Sequence, residues 1–222
     1  MAGNLSGYEL MWPEFYHAAT SGISQYGPPL KEDHDYYVLI ESLGAHQESD
    51  RDQMEKLLEK ALENELIEDA VMAHNESDLT WFWSIREDVH VVKSNVTIDQ
   101  HFDVSLPIPL IGEYVNEVSK QLKALNGVED VYPFGHIADG NIHFIVGKVD
   151  YSDELRESIN QIVYGPLQDI GGSVSAEHGI GEDKKAYLSL CRSKSEIELM
   201  KTLKIALDPY GILNPGKVLD IN

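Results

Sequence analysis

The sequence has little cysteine, little basic charge and no long apolar run, and each shortage excludes a class of protein. Its 222 residues include one cysteine, so no internal disulfide can form and a reducing compartment is expected. Only 17 Lys and Arg stand against 38 Asp and Glu, and the net charge of −21 argues against nucleic-acid or anionic-membrane surfaces. Without a signal peptide or about 18 consecutive apolar residues, we predict a cytoplasmic protein with no transmembrane segment.

Two common nucleotide-binding patterns are also missing. The chain contains neither a G-x-G-x-x-G after a predicted strand nor a G-x-x-x-x-G-K-[ST] loop. With 42% apolar and 25% charged residues, it nevertheless has the composition of a folded domain with a sizeable core. The missing patterns give no indication of a nucleotide-binding loop, so candidate functional residues must lie in other motifs.

Helical and extended patterns alternate along the chain. Helices are predicted at residues 49–66, 75–92, 109–122, 152–169 and 193–207, the last opened by a capping box at Ser193 and Glu196. Strands are predicted at residues 36–40, 69–73, 96–104, 128–136, 142–149 and 173–177. The consecutive strands 128–136 and 142–149 indicate a hairpin. This favours an α+β fold with a mixed or antiparallel sheet, helices on one face and a C-terminal helical segment, over a purely parallel sheet.

Two histidines flank the turn of this hairpin. Asp139-Gly140 is a strong signal for a two-residue turn. With that turn, His136 and His143 are directly opposite each other, with Cβ atoms about 4.5–5.5 Å apart. Two imidazoles at that spacing can bind one metal ion, and a longer loop would still keep them close. The spacing alone is equally compatible with two ordinary polar residues beside a turn.

A carboxylate and an imidazole follow one another at the end of the predicted strand 173–177. Glu177 and His178 precede a glycine-rich loop, and strand ends of this kind are common places for functional sites. Glu177 would complete a set of two histidines and one carboxylate, suited to a divalent metal and a substrate oxygen. The alternatives are a solvated acid for Glu177 and a turn residue for His178.

Five blocks of the chain occur together in one order. They are residues 83–87, 103–107, 135–143, 175–188 and 207–217. The third block, GHIADGNIH, resembles the G-H-x-G-D-G-N-x-H motif of the FAD-linked oxidase C-terminal domain family, with Ala138 replacing a glycine. The fourth resembles the S-x-E-H-G-x-G-x-x-K-x-x-Y-L block of the same family, and the fifth resembles its C-terminal signature. Weaker similarity runs back to Leu5.

The resemblance implies a flavin-dependent dehydrogenase of D-2-hydroxy acids, of the D-2-hydroxyglutarate, D-lactate or glycolate type. Residues 1–222 would form its ferredoxin-like cap domain, which carries metal and substrate. The family's N-terminal FAD domain is not found in this sequence, so we expect it in cis or as another subunit. FAD would then bind this chain alone weakly or not at all. A homodimer is left open as a further partner.

The resemblance also implies roles for individual residues, carried over by motif match. His136, His143 and Glu177 would bind a divalent metal, Zn or Mn, and His178 would be the general base on the substrate C2 hydroxyl. Arg86 would hold the substrate carboxylate and Asn141 would help to position it, while Asn214 and Lys217 would lie near the flavin. His101 and His90 stand where D-2-hydroxyglutarate dehydrogenases tend to carry Lys and Thr, and are predicted to bear on the distal end of the substrate.

Several alternatives remain open from the residues alone. Without the resemblance, Arg86 would be assigned to a surface ion pair with Glu87 or Asp88. The chain would also fit a stand-alone, non-catalytic module or accessory subunit that binds a metal or an organic acid. A metal-dependent hydrolase fits less well, because it gives the tail Asn214–Lys217 no role. A charge of −21 would repel an anionic substrate, so the site must be locally positive, through the metal, Arg86 and the lysines at 184 and 185.

Overall fold

Five antiparallel strands form one sheet in the computed structural model, which describes residues 5–21 and 27–221. The strands are β1 (Leu5–Met11), β2 (Tyr37–Ser42), β3 (Ile98–Ser105), β4 (Val128–His136) and β5 (Asn141–Lys148). Their order across the sheet is β2-β1-β4-β5-β3, and every neighbouring pair is antiparallel. The first strand of the chain therefore lies inside the sheet, between β2 and β4.

Seven α-helices surround the sheet in the described ranges. They are α1 (Pro13–Thr20), α2 (Gln47–Glu63), α3 (Glu76–Glu87), α4 (Val89–Lys93), α5 (Ile111–Ala124), α6 (Asp153–Tyr164) and α7 (Lys194–Leu207). The capping box predicted at Ser193 and Glu196 is present at the start of α7. In the part of the chain that is described, no helix has the length and apolar character needed to cross a membrane.

The helices cover both faces of the sheet, whereas the sequence pattern predicted one face. Every residue of β5 is buried. Because successive side chains of a strand point to opposite faces, other elements must pack against both faces of the sheet here. Ile142 and Phe144 belong to a core formed with α5 and α6. Ile145 belongs to a second core, with Phe15 of α1 and Ile85 of α3. The α+β class with an antiparallel sheet is confirmed, and the second face is the one that carries the site.

Three predicted elements differ from the structure. Residues 69–73 form no strand; this segment runs beside α2, where Arg51 donates from Nη1 to the Ala73 carbonyl at 3.2 Å. The predicted helix 75–92 is interrupted at Asp88, whose ψ of 63° leaves the helical region, and it continues as α4. The predicted strand 173–177 is reduced to a single bridge between Ser173 and Ser105.

The turn between β4 and β5 has four residues, where two were predicted. His136 pairs with Asn141, and His143 pairs with Phe134. A two-residue type I′ turn needs positive φ at both central residues, but of Asp139 and Gly140 only Gly140 has it, at 81°. The prediction that His136 lies directly opposite His143 is therefore wrong. Their rings still lie on one face, with centroids 5.4 Å apart.

Candidate metal and substrate site

A pocket of about 350 Å³ opens on the second face of the sheet, beneath α3 and the start of α4. Six predicted site residues line it: Arg86, His101, His136, His143, Glu177 and His178. Apolar and aromatic side chains complete the walls, among them Trp83, Val89 and Phe134. Residues from four separate stretches of the sequence thus meet in one cavity.

One carboxylate oxygen of Glu177 lies among three imidazoles. Its Oε1 is 3.3 Å from His143 Nε2, 3.7 Å from His178 Nε2 and 3.9 Å from His136 Nε2. Imidazole nitrogens and a carboxylate oxygen are the donors that Zn²⁺ and Mn²⁺ use in proteins. The donor chemistry and the convergence on one point both fit a divalent metal.

His143 is buried and held in its neutral form. Its side chain is buried, and burial lowers its pKa to about 3, with the Arg86 guanidinium acting in the same direction. A neutral imidazole has a lone pair to offer, whereas an imidazolium has none. The His143 ring also stacks against that of His178, with centroids 5.5 Å apart.

The loop that carries Glu177 and His178 is held by one buried carboxylate on β3. Asp103 accepts the backbone N–H groups of Ala176 at 3.2 Å, Glu177 at 3.2 Å and His178 at 2.9 Å. Successive N–H groups of a strand point to opposite edges, whereas these three converge on one side chain. This convergence is the physical reason why residues 173–177 do not form the predicted strand.

Asp103 is ionised and fully occupied by the groups around it. Lys184 Nζ lies 3.1 Å from its Oδ2, and Ser175 Oγ donates to the same oxygen at 2.9 Å. Burial alone would raise the pKa of Asp103, but the His178 N–H and the Lys184 ammonium outweigh it and hold the pKa at about 2. Asp103 lies within 4.8 Å of the ligand atoms of His143, Glu177 and His178. Because its oxygens already accept these bonds, we assign it to holding the loop.

A second buried carboxylate, on β1, joins two predicted site residues. Glu9 Oε1 is 2.8 Å from His136 Nδ1, and Glu9 Oε2 accepts from Arg86 Nε at 2.7 Å. Arg86 is itself 7% exposed and lies over the Phe134 ring, 4.7 Å from its centroid. The alternative of a surface ion pair for Arg86 is therefore wrong.

Neither Glu9 nor Asp103 was predicted as a site residue. Glu9 and His136 are 127 positions apart and meet only through the antiparallel register of β1 and β4, which no local spacing reveals. For Asp103 a signal existed: Asp99, His101 and Asp103 alternate with the apolar side of β3 and so share the site face.

His101 lines the pocket, and one more predicted residue, Asn141, pairs with His136 beside it. His101 is paired with Asp99 at 2.5 Å, and Asp99 is also 3.0 Å from Lys93 Nζ. Burial lowers the pKa of His101, although the Asp99 carboxylate opposes this. Asn141 is 4% exposed, and its Oδ1 has no hydrogen-bond partner among residues 5–21 and 27–221. A buried amide oxygen of this kind is available to a ligand.

Three predicted residues are not brought into the pocket. His90 is exposed on α4 and does not line the cavity. Asn214 and Lys217 lie in the exposed tail after α7, where Lys217 forms an ion pair with Glu182. The tail is anchored to the loop after His178, because Val218 N donates to the Gly181 carbonyl at 2.7 Å.

Three curated proteins show how the sequence compares with known ones. The chain is 37% identical over 199 residues to a mitochondrial protein of Schizosaccharomyces pombe, named provisionally as a D-lactate dehydrogenase; this covers 85% of the chain and 38% of that protein. It is 36% identical over 191 residues to the mitochondrial D-2-hydroxyglutarate dehydrogenase of Arabidopsis thaliana, covering 86% and 34%. It is 31% identical over 198 residues to a D-2-hydroxyglutarate–pyruvate transhydrogenase of Saccharomyces cerevisiae, covering 86% and 40%. The chain thus spans well under half the length of each relative.

The cytoplasmic location predicted from the sequence is not supported. The first two of these relatives are named as mitochondrial proteins, and so is a D-2-hydroxyglutarate dehydrogenase of Danio rerio. These names point to mitochondria and overturn the prediction. The low cysteine count behind the prediction indicates a reducing compartment, and it does not distinguish the cytoplasm from an organelle.

Membership of a family follows from a match along almost the whole chain. A family model described as "FAD linked oxidases, C-terminal domain" matches residues 2–218. This range includes every strand and helix of the described structure and every residue that lines the pocket. The chain belongs to the family of C-terminal domains of FAD-linked oxidases.

Proposed function

We propose that this domain is the substrate- and metal-binding part of a FAD-dependent dehydrogenase that oxidises a D-2-hydroxy acid to the 2-oxo acid. The observation that carries the proposal is the meeting of three imidazoles at one oxygen of Glu177, next to a buried arginine. A metal site beside a carboxylate-binding cation is what a 2-hydroxy acid requires. The names of the curated relatives support the same class of substrate.

His136, His143 and Glu177 would hold the metal. Glu177 Oε1 lies 3.3 Å from His143 Nε2 and 3.9 Å from His136 Nε2, and His143 is kept neutral by burial. A divalent ion bound there, Zn or Mn, would supply Lewis acidity that stabilises negative charge on the substrate hydroxyl oxygen.

Arg86 would hold the substrate carboxylate. Its Nε donates a hydrogen bond to Glu9, and its Nη2 lies 3.3 Å from His136 Nε2. Its Nη1 has no hydrogen-bond partner within the described residues. The unpaired end of a planar guanidinium suits a carboxylate. The Phe134 ring packs against one face of this guanidinium. Asn141, with its unpaired buried oxygen, would help to orient the bound acid.

His178 would accept the hydroxyl proton. Its side chain is 54% exposed and lines the pocket, and its backbone is fixed by Asp103. As the C2 hydrogen leaves as hydride, the hydroxyl proton passes to the His178 imidazole and the C2–O bond becomes the carbonyl of the 2-oxo acid. FAD would be the hydride acceptor, held mainly by a separate FAD-binding domain.

An anionic substrate in a protein of net charge −21 needs positive charge close to the pocket. Lys184 is neutralised by Asp103, and Lys185 is paired with Asp220 at 2.7 Å, so neither contributes as the sequence predicted. Arg86 is likewise paired with Glu9 at 2.7 Å, so a bound divalent metal would supply the net positive charge and Arg86 would contribute the hydrogen-bond donors of its unpaired Nη1. Asn214 and Lys217 remain predicted to lie near the flavin, on a tail joined to the loop after His178.

Metal analysis of three variants tests the site. We expect wild type to retain about one divalent ion per chain, held by three protein ligands with one position open to the substrate oxygen, and His136→Ala and Glu177→Ala to lose it. His90→Ala is the matched control, because His90 is an exposed histidine outside the pocket. Unchanged metal content in both site variants would refute the metal assignment. A panel of D-2-hydroxy acids, assayed with an artificial electron acceptor on the protein joined to its FAD-binding domain, tests the substrate class.

A further inference from the structure

We propose that Glu9 is a positioning residue that orients a metal ligand and the substrate-binding arginine at the same time. One carboxylate oxygen contacts His136 and the other contacts Arg86. Glu9 has this role only if the proposed metal and substrate site is correct. No motif of the sequence includes Glu9, and its place at the site follows from the pairing of β1 with β4.

The contact with His136 selects one form of the imidazole. An ionised carboxylate accepts hydrogen bonds and donates none, so at 2.8 Å from Glu9 Oε1 the Nδ1 of His136 must carry a proton. Arg86 Nη2, also only a donor, lies 3.3 Å from His136 Nε2. Both neighbours therefore favour the tautomer with its lone pair on Nε2, which lies 3.9 Å from Glu177 Oε1. A metal bound at Nε2 would take the place of the Arg86 Nη2 contact. A histidine that binds a metal commonly donates its other N–H to a carboxylate in this way.

The contact with Arg86 fixes a buried cation. Glu9 is 5% exposed and Arg86 is 7% exposed, so each charge needs the other in the interior. The bond from Nε to Glu9 Oε2 and the Phe134 ring set the plane of the guanidinium. Glu9, on β1, therefore helps to fix the direction of Arg86 Nη1.

Glu41 provides the comparison that separates positioning from simple anchoring. It also joins a strand to α3, since it accepts from Trp83 Nε1 at 2.9 Å and from Ser6 Oγ at 2.7 Å. It contacts neither a proposed metal ligand nor a proposed substrate-binding residue. A carboxylate that merely fastens α3 to the sheet would resemble Glu41 in leaving zinc affinity and KM unchanged.

Zinc affinity of the 222-residue chain, measured by competition with a chelating dye, tests the proposal. In the Glu9→Gln variant the new side-chain amide cannot accept from both neighbours, because its NH₂ group would face a donor. We expect Glu9→Gln to weaken zinc binding roughly 10–100-fold, and Glu41→Gln to leave it unchanged. Equal zinc affinity in Glu9→Gln, Glu41→Gln and wild type would overturn the role of Glu9 alone. Wild type that binds no zinc would refute the proposed metal site itself.

A second measurement needs no variant at Glu9 and so does not depend on its folding. Proton–nitrogen correlation spectra of the histidine rings in metal-free wild type, recorded well above the ordinary pKa of imidazole, report the tautomer directly. His136→Gln assigns the signal. We expect the proton on Nδ1 of His136; a proton on Nε2 would overturn the proposal. In the protein joined to its FAD-binding domain, Glu9→Gln should raise KM for the hydroxy acid, whereas Glu41→Gln should not.

Discussion

The carboxylate of Asp103 accepts the backbone N–H of His178 at 2.9 Å, although 75 positions separate the two residues. The same carboxylate binds the N–H groups of Ala176 and Glu177. The positions of His178, the proposed base, and Glu177, a proposed metal ligand, are therefore set by β3. This strand lies on the side of β5 away from β4. Residues with no direct part in the chemistry set the geometry of those that have one.

Asp103→Asn should destabilise the fold strongly. The change leaves the Lys184 ammonium, which is largely buried, without its partner at 3.1 Å. Breaking a buried ion pair by removing one partner typically costs about 3–5 kcal/mol, and we expect a loss of that order in urea unfolding. Asp183→Asn is the control, because Asp183 pairs with Arg156 at the surface. Equal stability of the two variants would contradict the role of Asp103.

The contribution of Asp103 should depend on pH in one direction. Its pKa in the folded protein is about 2, below the ordinary value of 3.8, so ionisation favours the folded state. This stabilisation is complete above pH 3.8 and is lost as the pH falls toward 2. The difference in unfolding free energy between wild type and Asp103→Asn should therefore shrink over this interval. A difference that does not change with pH there would show that the charge is not responsible.

Gly135→Ala should disturb the hairpin that carries both proposed histidine ligands. A Cβ at this position would lie 2.3 Å from the Asn141 carbonyl oxygen and 2.9 Å from Ile142 Cα, both backbone atoms of the partner strand. Overpacking of this kind costs typically about 1–3 kcal/mol, and we expect weaker zinc binding as well. Thermal unfolding and dye competition measure the two effects. Gly165→Ala, where no atom lies within 4 Å of the added Cβ, should show neither.

Arg86→Lys should impair substrate binding more than the chemical step. A lysine carries one compact charge and cannot contact Glu9 and a carboxylate through a shared planar group. Loss of a charged hydrogen bond is worth roughly 1.5–3 kcal/mol, or about 10–100-fold in KM. Steady-state kinetics of the protein joined to its FAD-binding domain measures this, with Arg156→Lys as a surface control. An unchanged KM would remove Arg86 from the substrate site.

Local patterns were sufficient where the structure is local. The capping box of α7 and the hairpin of β4 and β5 were predictable, because each depends on residues close together in the chain. The proximity of His136 to His143 was predictable for the same reason. The register was not, because Asp139-Gly140 is compatible with both two-residue and four-residue turns, and the difference lies in the φ of Asp139.

Contacts between distant segments account for what sequence patterns could not predict. Glu9 reaches the site only because β1 enters the sheet beside β4. Residues 173–177 were predicted as a strand, yet one side chain on β3 draws together the N–H groups of Ala176, Glu177 and His178. This convergence depends on a buried carboxylate that is distant in the sequence. The periodicity of apolar residues cannot reveal such a contact.

The interior position of β1 also has a consequence for the order of folding. Glu9 and His136 can meet only after a loop of 127 positions has closed, and contacts of such long range form slowly. The hairpin of β4 and β5 needs only a short turn and can form early. We therefore expect His136 and His143 to come together before β1 arrives. High-affinity metal binding would then begin when β1 pairs with β4, so that zinc uptake reports this long-range step of folding.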